Sequence, residues 1–163
     1  MRFFQALVIA FVFAAGGLAA CAAPAGTSAQ PALPKSALSV ETASGTVAFT
    51  VELADEPLEI QTGMMFRRSI GEREGMLFDI GRPRVTAFWM RNTLIPLDII
   101  FIDEGGRIID IAANATPLSE EPLFPRGPAR GVLEIGGGRA AELGIENGNL
   151  VRHVIFGNVS SPN

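Results

Sequence analysis

Cysteine and histidine are almost absent from this sequence, which contains one of each in 163 residues, at positions 21 and 153. A single cysteine cannot form an internal disulfide, and two such residues cannot supply the four ligands of a structural zinc site. Cys21 lies directly after an apolar N-terminal run, which argues against a hydrolase built on a cysteine–histidine pair. No Gly-x-Ser-x-Gly motif is present either. We therefore expect no cofactor, and the sequence presents no recognisable catalytic motif.

Charge is also scarce. Charged residues make up 18% of the chain, and 13 lysines and arginines against 17 aspartates and glutamates leave a net charge of -4. No block of basic residues is present, so the sequence lacks the electrostatic footprint of a nucleic-acid-binding protein. Tyrosine is missing and tryptophan occurs once, but hydrophobic residues reach 48%. The length and this supply of apolar side chains predict one domain with a proper core.

The N-terminus has the organisation of a bacterial export signal. Arg2 precedes an apolar run from Phe3 to Ala15, and residues 18–21 are Leu-Ala-Ala-Cys. Small residues before a cysteine are typical of a lipobox, where the signal peptide is removed and the cysteine carries diacylglycerol. The run is too short and wrongly flanked for a transmembrane helix. We predict a signal peptide over residues 1–20 and lipidation of the cysteine.

The same segment predicts a location. Two or more acyl chains on Cys21 would anchor the protein stably to a membrane. Ala22 stands where an aspartate would retain a lipoprotein at the inner membrane, which favours the outer membrane and a domain that faces the periplasm. Cleavage at a plain secretory site around Ala20 is the alternative. Residues 21–35 are rich in proline and alanine and predict a flexible, lipid-anchored tether ahead of a single domain at 36–159.

Residue patterns within this domain favour short strands. Residues 46–53 alternate, which predicts a half-buried strand, and residues 97–103 are nearly all apolar, which predicts a strand buried on both faces. Asp55 predicts the start of a helix that ends near residues 66–68. The fold class is therefore α+β, mainly β: a small compact barrel or a bent antiparallel or mixed sheet with two short helices. Further strands are predicted at 75–78, 85–90, 107–111, 131–135 and 149–156, a short helix at 139–143, and a proline-rich loop at 114–129.

Several motifs follow one another in this domain. Residues 75–78 are Gly-Met-Leu-Phe, residues 88–93 are Phe-Trp-Met-Arg-Asn-Thr, and residues 96–98 are Pro-Leu-Asp. In this order they resemble the domain of unknown function 192 family (uncharacterised protein family 0127), over about residues 46–156. The resemblance implies no reaction. The sequence departs from the family where Asn149 replaces the usual aspartate after a glycine, and in the loop around Phe124.

Asp98 is the first candidate for a functional residue. It lies in an otherwise apolar strand and shares a face with two isoleucines. A carboxylate there costs several kcal/mol unless it is paired. The natural partners are Arg67, Arg91, Asn92 and Thr93. The structural interpretation is a buried ion pair or a turn cap, and the functional one is a general acid/base or a ligand anchor. A carboxylate pair with Glu134 is left open.

Trp89 and Met90 are adjacent on a predicted strand and therefore point to opposite faces. Core packing is the more frequent role of each residue type. Both can be buried only if the strand is covered on both sides, so one of them is a candidate to line a pocket. The predicted ligand-binding set is Arg67, Trp89, Asn92 and Asp98.

Three functions remain open at this point. The leading hypothesis is a cell-envelope domain that binds a peptide, a glycan or a partner protein. The second is an acid/base hydrolase or lyase that uses Asp98 with Arg67 or Asn92 as the electrophilic partner. The third is soft-metal binding, because thioether clusters in exported proteins suit copper, although methionine also fills gaps in cores. The methionines concerned are Met64, Met65, Met76 and Met90.

Overall fold

A computed structural model describes residues 28–159 of the chain. The predicted signal peptide, Cys21 and the first part of the tether lie outside these residues. The described part contains seven strands, two short α-helices and one 3-10 turn. The strands are β1 Lys35–Thr42, β2 Gly45–Ala54, β3 Glu74–Arg84, β4 Leu97–Ile102, β5 Ile108–Ala115, β6 Ala129–Gly136 and β7 Leu150–Arg152; the helices are α1 Pro57–Thr62 and α2 Arg139–Glu142, and the 3-10 turn is Val154–Phe156.

The strands form one sheet in the order β5-β4-β6-β3-β2-β1-β7. Neighbouring strands are antiparallel, with one exception. Strands β2 and β3 are parallel, and the chain segment that connects them contains α1. The sheet curls into a half-barrel, so the predicted mainly-β class with two short helices is confirmed. Its two edges meet at one end, where the Ile108 N–H donates to Asn149 O (3.0 Å) and the Val151 N–H donates to Gly106 O (2.7 Å).

The inner face of the curled sheet carries the first core. The alternation predicted for residues 46–53 is confirmed, because Phe49 and Val51 are buried there and Val47 and Leu53 pack against them. From one end of the half-barrel, the α2 segment contributes Ala140 to the same core. Burial of this face provides the main driving force for curling the sheet.

The outer face of β3, β6 and β4 carries a second core, in which Met76, Phe78 and Phe101 are almost fully buried. Phe88, from the connection between β3 and β4, covers it and packs edge-on against Phe78 and Phe101 at 5.1 and 6.0 Å between ring centroids. The central strands are therefore covered on both sides. All six residues of β4 are buried, as predicted for residues 97–103.

Residues 85–90 do not form the strand that is predicted for them. They form part of the layer over the outer core, and Phe88 is joined to Leu123 of the long loop by an isolated bridge. Met90 is 1% exposed and Trp89 is 45% exposed, which confirms the prediction that these two side chains point to opposite faces. The prediction that Trp89 packs in the core is wrong. A two-residue burial period arises wherever an extended segment has one covered face, whether or not it is paired in a sheet.

The folded part begins before residue 36. Lys35 already pairs with Glu52 of β2, and Leu33 packs against the outer core. Further back, the side-chain amide of Gln30 donates to the carbonyl oxygens of Glu59 (3.3 Å) and Gly63 (2.9 Å). The last residues of the predicted tether are thus attached beside α1, through contacts that leave no periodic pattern in the sequence.

Two predicted boundaries are also corrected. Helix α1 ends at Thr62 rather than at 66–68, because Gly63 leaves the helical region with φ of 49°. A strand is predicted at 149–156, but β7 covers only Leu150–Arg152, and Val154–Phe156 form the 3-10 turn. Across residues 28–159, none of the helices has the length and apolar character needed to cross a membrane.

Candidate functional site

A pocket of about 170 Å³ opens on the outer face of the sheet. One wall is the end of α1 and the turn after it, and the other is the start of the covering layer after β3. Its floor is formed by side chains of β3 and β6. Apolar and aromatic groups dominate the lining, which includes Ile60, Met64, Met65, Phe78, Ile80, Phe88 and Trp89; Thr62, Thr93, Arg84 and Glu134 are among the polar groups.

Glu134 is the buried polar group of this pocket. It lies on β6, paired with Met76 of β3 and with Ile99 of β4, and it is 4% exposed. Its Oε2 atom is buried and has no hydrogen-bond partner within residues 28–159. Burial raises the pKa of the Glu134 carboxyl to about 8. The group is therefore a neutral carboxylic acid at neutral pH, able to donate one hydrogen bond as well as accept.

Trp89 stands at the rim, and the backbone around it is held in uncommon conformations. Phe66, Asn92 and Leu118 have positive φ values of 61°, 57° and 63°. The Phe66 N–H donates to Asn92 O (2.8 Å), and the Leu118 N–H donates to Thr93 O (3.1 Å), so all three meet at one turn beside the pocket. Such backbone strain persists where the surrounding structure over-determines it, and it is concentrated at functional sites.

Asp98 does not line this pocket. Its side chain is completely buried, and its carboxylate accepts backbone hydrogen bonds from Asn114 (2.7 Å), Gly138 (2.9 Å) and Ala140 (2.7 Å). The bonds from Gly138 and Ala140 fix the start of α2 to the start of β4, and the bond from Asn114 adds the end of β5. The predicted pairing with Arg67, Arg91, Asn92 or Thr93 is therefore wrong, because backbone amides from two distant segments satisfy the carboxylate instead.

The carboxylate pair of Asp98 and Glu134 is also absent from the described structure. Asp98 is opposite Ile135 and Ile99 is opposite Glu134 in the β4–β6 register. Because successive side chains on a strand point to opposite faces, Asp98 faces the inner core and Glu134 the outer one.

Arg67 lies near the pocket but is engaged elsewhere. Its guanidinium makes a two-point ion pair with the largely buried Glu52, at 2.6 and 2.7 Å. Burial raises the pKa of Glu52, but the hydrogen bonds from Arg67 and from the Leu33 N–H outweigh it and leave that pKa below its ordinary value. The pair links β2 to the turn after α1, which is a structural role. Of the predicted ligand-binding set, the structure brings Trp89 to the pocket and places Asn92 in the adjoining turn.

His153 is buried and bonded to a serine, yet the geometry does not make a catalytic pair. Its Nε2 lies 2.8 Å from Ser36 Oγ, and its Nδ1 accepts a hydrogen bond from the Ile155 N–H (3.4 Å). An accepting Nδ1 places the ring proton on Nε2, so the ring donates to the serine and cannot take its proton. Burial lowers the pKa of His153, which keeps the ring neutral.

The methionines occupy mixed positions. Met64, Met76 and Met90 are at most 3% exposed and belong to the outer core. Met65 is partly exposed, and Met64 and Met65 both line the pocket. This burial among apolar side chains favours packing for the first three. Residues 28–159 contain no group of three or more histidine, cysteine, aspartate or glutamate side chains placed to hold a metal ion.

Glu134 was not among the predicted ligand-binding residues. The same signal that singled out Asp98 applies to it, since it is the one acid within the apolar run 131–135. A lone carboxylate in an apolar strand marks a position that needs an explanation. The local sequence does not distinguish a carboxylate that is satisfied by backbone amides from one that faces a pocket.

A profile of the family described as DUF192, uncharacterized ACR, matches residues 39–153 of the chain. A solved structure of a protein of unknown function from Novosphingobium aromaticivorans DSM 12444 is 47% identical, with a TM-score of 0.73 over 74% of this chain and 86% of that chain. A proposed transcription regulator from Sinorhizobium meliloti 1021 is 38% identical, with a TM-score of 0.74 over 77% of this chain and 98% of that chain. No curated protein matches.

Proposed function

The chain belongs to the DUF192 family, and we propose that this member is an exported, lipid-anchored domain that binds a small group of a cell-envelope ligand in the pocket between Trp89 and Glu134. The observation that carries the proposal is the buried carboxyl of Glu134 on the floor of an apolar pocket, whose Oε2 atom has no hydrogen-bond partner among residues 28–159. Binding pockets are typically apolar with few polar groups, and a strongly perturbed carboxyl in such a place is a functional-site candidate.

The N-terminal arm supports a ligand in the envelope. Gln30 is attached to the carbonyl oxygen of Gly63, and Gly63 is itself part of the pocket wall. Eight residues lie between Cys21 and Gln30, and the nine steps from one to the other span at most about 30 Å when extended. A lipid on Cys21 would therefore keep the pocket close to the bilayer surface, where envelope components are concentrated.

Nucleic-acid binding has less support. The relative from Sinorhizobium meliloti is described as a proposed transcription regulator. In this chain the net charge is -4, and the sequence has no run of basic residues that could neutralise several phosphates.

Acid–base chemistry at the same pocket is the second candidate function, with Glu134 in the role that the sequence suggested for Asp98. It is favoured by the pKa of about 8, since a carboxyl near the working pH can both give and take a proton. Turnover of a bound compound that disappears in Glu134→Gln while binding persists would support this function. Undiminished turnover in that variant would exclude it.

The location is tested by fractionating cells that produce the full chain. The wild type is expected in the membrane fraction, released by detergent and not by high salt, because acyl chains rather than charges hold it. Cys21→Ser removes the acceptor of the lipid and should move the domain to the soluble periplasmic fraction. Ala22→Asp is the matched control, since it retains the lipid and should stay with the membranes. A Cys21→Ser chain that remains in the membrane fraction would contradict the lipid anchor.

Pocket binding is tested by thermal melts of the full chain against peptidoglycan fragments, short peptides and common envelope metabolites. A ligand at a hundred times its dissociation constant stabilises the folded state by about 2.7 kcal/mol, enough to raise the midpoint by several degrees. Trp89→Ala should reduce the shift for any compound that uses the pocket. A shift that survives this change would place the binding site elsewhere.

A further inference from the structure

We propose that the pocket takes an uncharged ring that carries a hydroxyl group, with the ring against the apolar wall beside Trp89 and the hydroxyl at the carboxyl of Glu134. This inference rests on the proposed function, because it assumes that this pocket is the binding site and names the chemistry of the group that enters it.

The size of the pocket limits its occupant to a single ring. Its volume is about 170 Å³. An apolar protein cavity of about 150 Å³ is known to hold benzene. A peptide or glycan chain does not fit inside, although one side group of a larger molecule can.

The walls favour a flat apolar group. The rings of Phe78 and Phe88 are edge-on to each other, with 5.1 Å between their centroids, and both line the pocket. Trp89 leaves 45% of its surface exposed at the rim, where a ring can cover it. Aromatic groups gain from edge-to-face and offset contacts of this kind in addition to the burial of apolar area.

The polar floor favours a neutral hydroxyl over a charge. Oε2 of Glu134 has no partner in the described part of the chain, so its hydrogen bond must come from the pocket. A hydroxyl can both accept from and donate to a protonated carboxyl, whose pKa burial has raised to about 8. A cationic ligand would have to ionise this desolvated acid and would approach Arg84, which also lines the pocket. An anionic ligand would lose its hydration against apolar walls.

The test uses four ring compounds that differ in one substituent: phenol, toluene, benzylammonium and benzoate. Trp89 is the single tryptophan of the sequence, so the fluorescence of the full chain reports on the pocket directly. In the wild type, phenol is expected to bind about fivefold or more tightly than toluene, the usual effect of one neutral hydrogen bond. The two charged compounds should bind more weakly than phenol.

Two variants connect this preference to Glu134. Glu134→Leu is expected to abolish the preference for phenol while toluene still binds. Because Oε2 of Glu134 has no partner within residues 28–159, its removal should not prevent folding. Glu134→Gln retains a donor and an acceptor and should restore most of the preference. A preference for phenol that is unchanged in Glu134→Leu would overturn the inference.

The outcomes separate this inference from the function on which it rests. The hydroxyl assignment is overturned if the wild type binds phenol and toluene equally, or if it binds benzylammonium or benzoate most tightly. In either case the pocket remains a binding site. If none of the four ring compounds changes the fluorescence, the hydroxyl assignment and the proposed binding function of the pocket are both overturned. N-acetyltyrosinamide identifies the source: binding as tight as that of phenol indicates a tyrosine side chain, and binding of phenol alone indicates a free small molecule.

Discussion

Glu134→Gln is expected to make the folded protein more stable than the wild type at neutral and alkaline pH, by about 3 kcal/mol at pH 7 and about 5 kcal/mol well above pH 8. The reason is the cost of the buried carboxyl. Its pKa is raised from 4.5 to about 8 in the folded protein because burial disfavours the charged form. Glutamine has nearly the same shape and never ionises, so the variant avoids this cost.

The sign and the pH range follow from the direction of the shift. A group with a raised folded pKa contributes fully to stability below its unfolded value, here 4.5, and that stability is lost as the pH rises to about 8. The two proteins should therefore be similar in stability near pH 4 and diverge above it. His153 acts in the opposite sense, because its lowered pKa removes stability as the pH falls below its ordinary value of 6.5.

Urea unfolding at a series of pH values provides the measurement, and the difference between variant and wild type cancels the contribution of His153. The matched control is Glu121→Gln, which removes an exposed carboxyl from the long loop and should leave the pH dependence unchanged. If the Glu134→Gln curve runs parallel to the wild type between pH 4.5 and 8, the carboxyl is ionised in the folded state. The hydroxyl-binding inference would then lose its chemical basis as well.

Replacement of Asp98 is expected to be the most destabilising single change among the candidate residues. Asp98→Ala leaves three backbone N–H groups without acceptors at a completely buried position. Each such loss costs about 1–3 kcal/mol, so the sum is a large part of the 5–15 kcal/mol that a domain of this size possesses. Asp98→Asn retains one acceptor oxygen but turns its amide group toward backbone donors, and its cost should be smaller.

Denaturant unfolding should rank the proteins as wild type, Asp98→Asn and Asp98→Ala, in order of decreasing stability. Asp103→Ala is the matched control, because the Asp103 carboxylate also accepts two backbone hydrogen bonds, from Gly105 (2.9 Å) and Arg107 (2.8 Å), but at a partly exposed turn. Water can replace those bonds, so its cost should stay near 1 kcal/mol. An Asp98→Asn protein of normal stability that no longer binds a pocket ligand would support the functional interpretation of Asp98.

The strongest local patterns of the sequence predicted the fold class correctly. The all-apolar run of β4 predicted a strand buried on both faces, and the alternation in β2 predicted one inward face. Both predictions depend on the two-residue period of an extended chain, which any stretch of about six residues reveals. The strand predicted at 85–90 is instead a segment that covers the outer core, because burial of one face does not require a paired neighbour.

The sequence by itself determined that the chain is a mainly β domain behind a predicted export signal, and that Asp98 and Glu134 are acids in apolar strands. Only the tertiary structure decided what each acid does. The register that places Asp98 opposite Ile135 and Ile99 opposite Glu134 directs the two carboxyls to opposite faces of the sheet. On the inner face, Asp98 accepts hydrogen bonds from backbone amides of distant segments. On the outer face, Glu134 lines a pocket, and its Oε2 atom has no partner in the part of the chain that the structure describes. That register is set by long-range strand pairing, which no local pattern encodes.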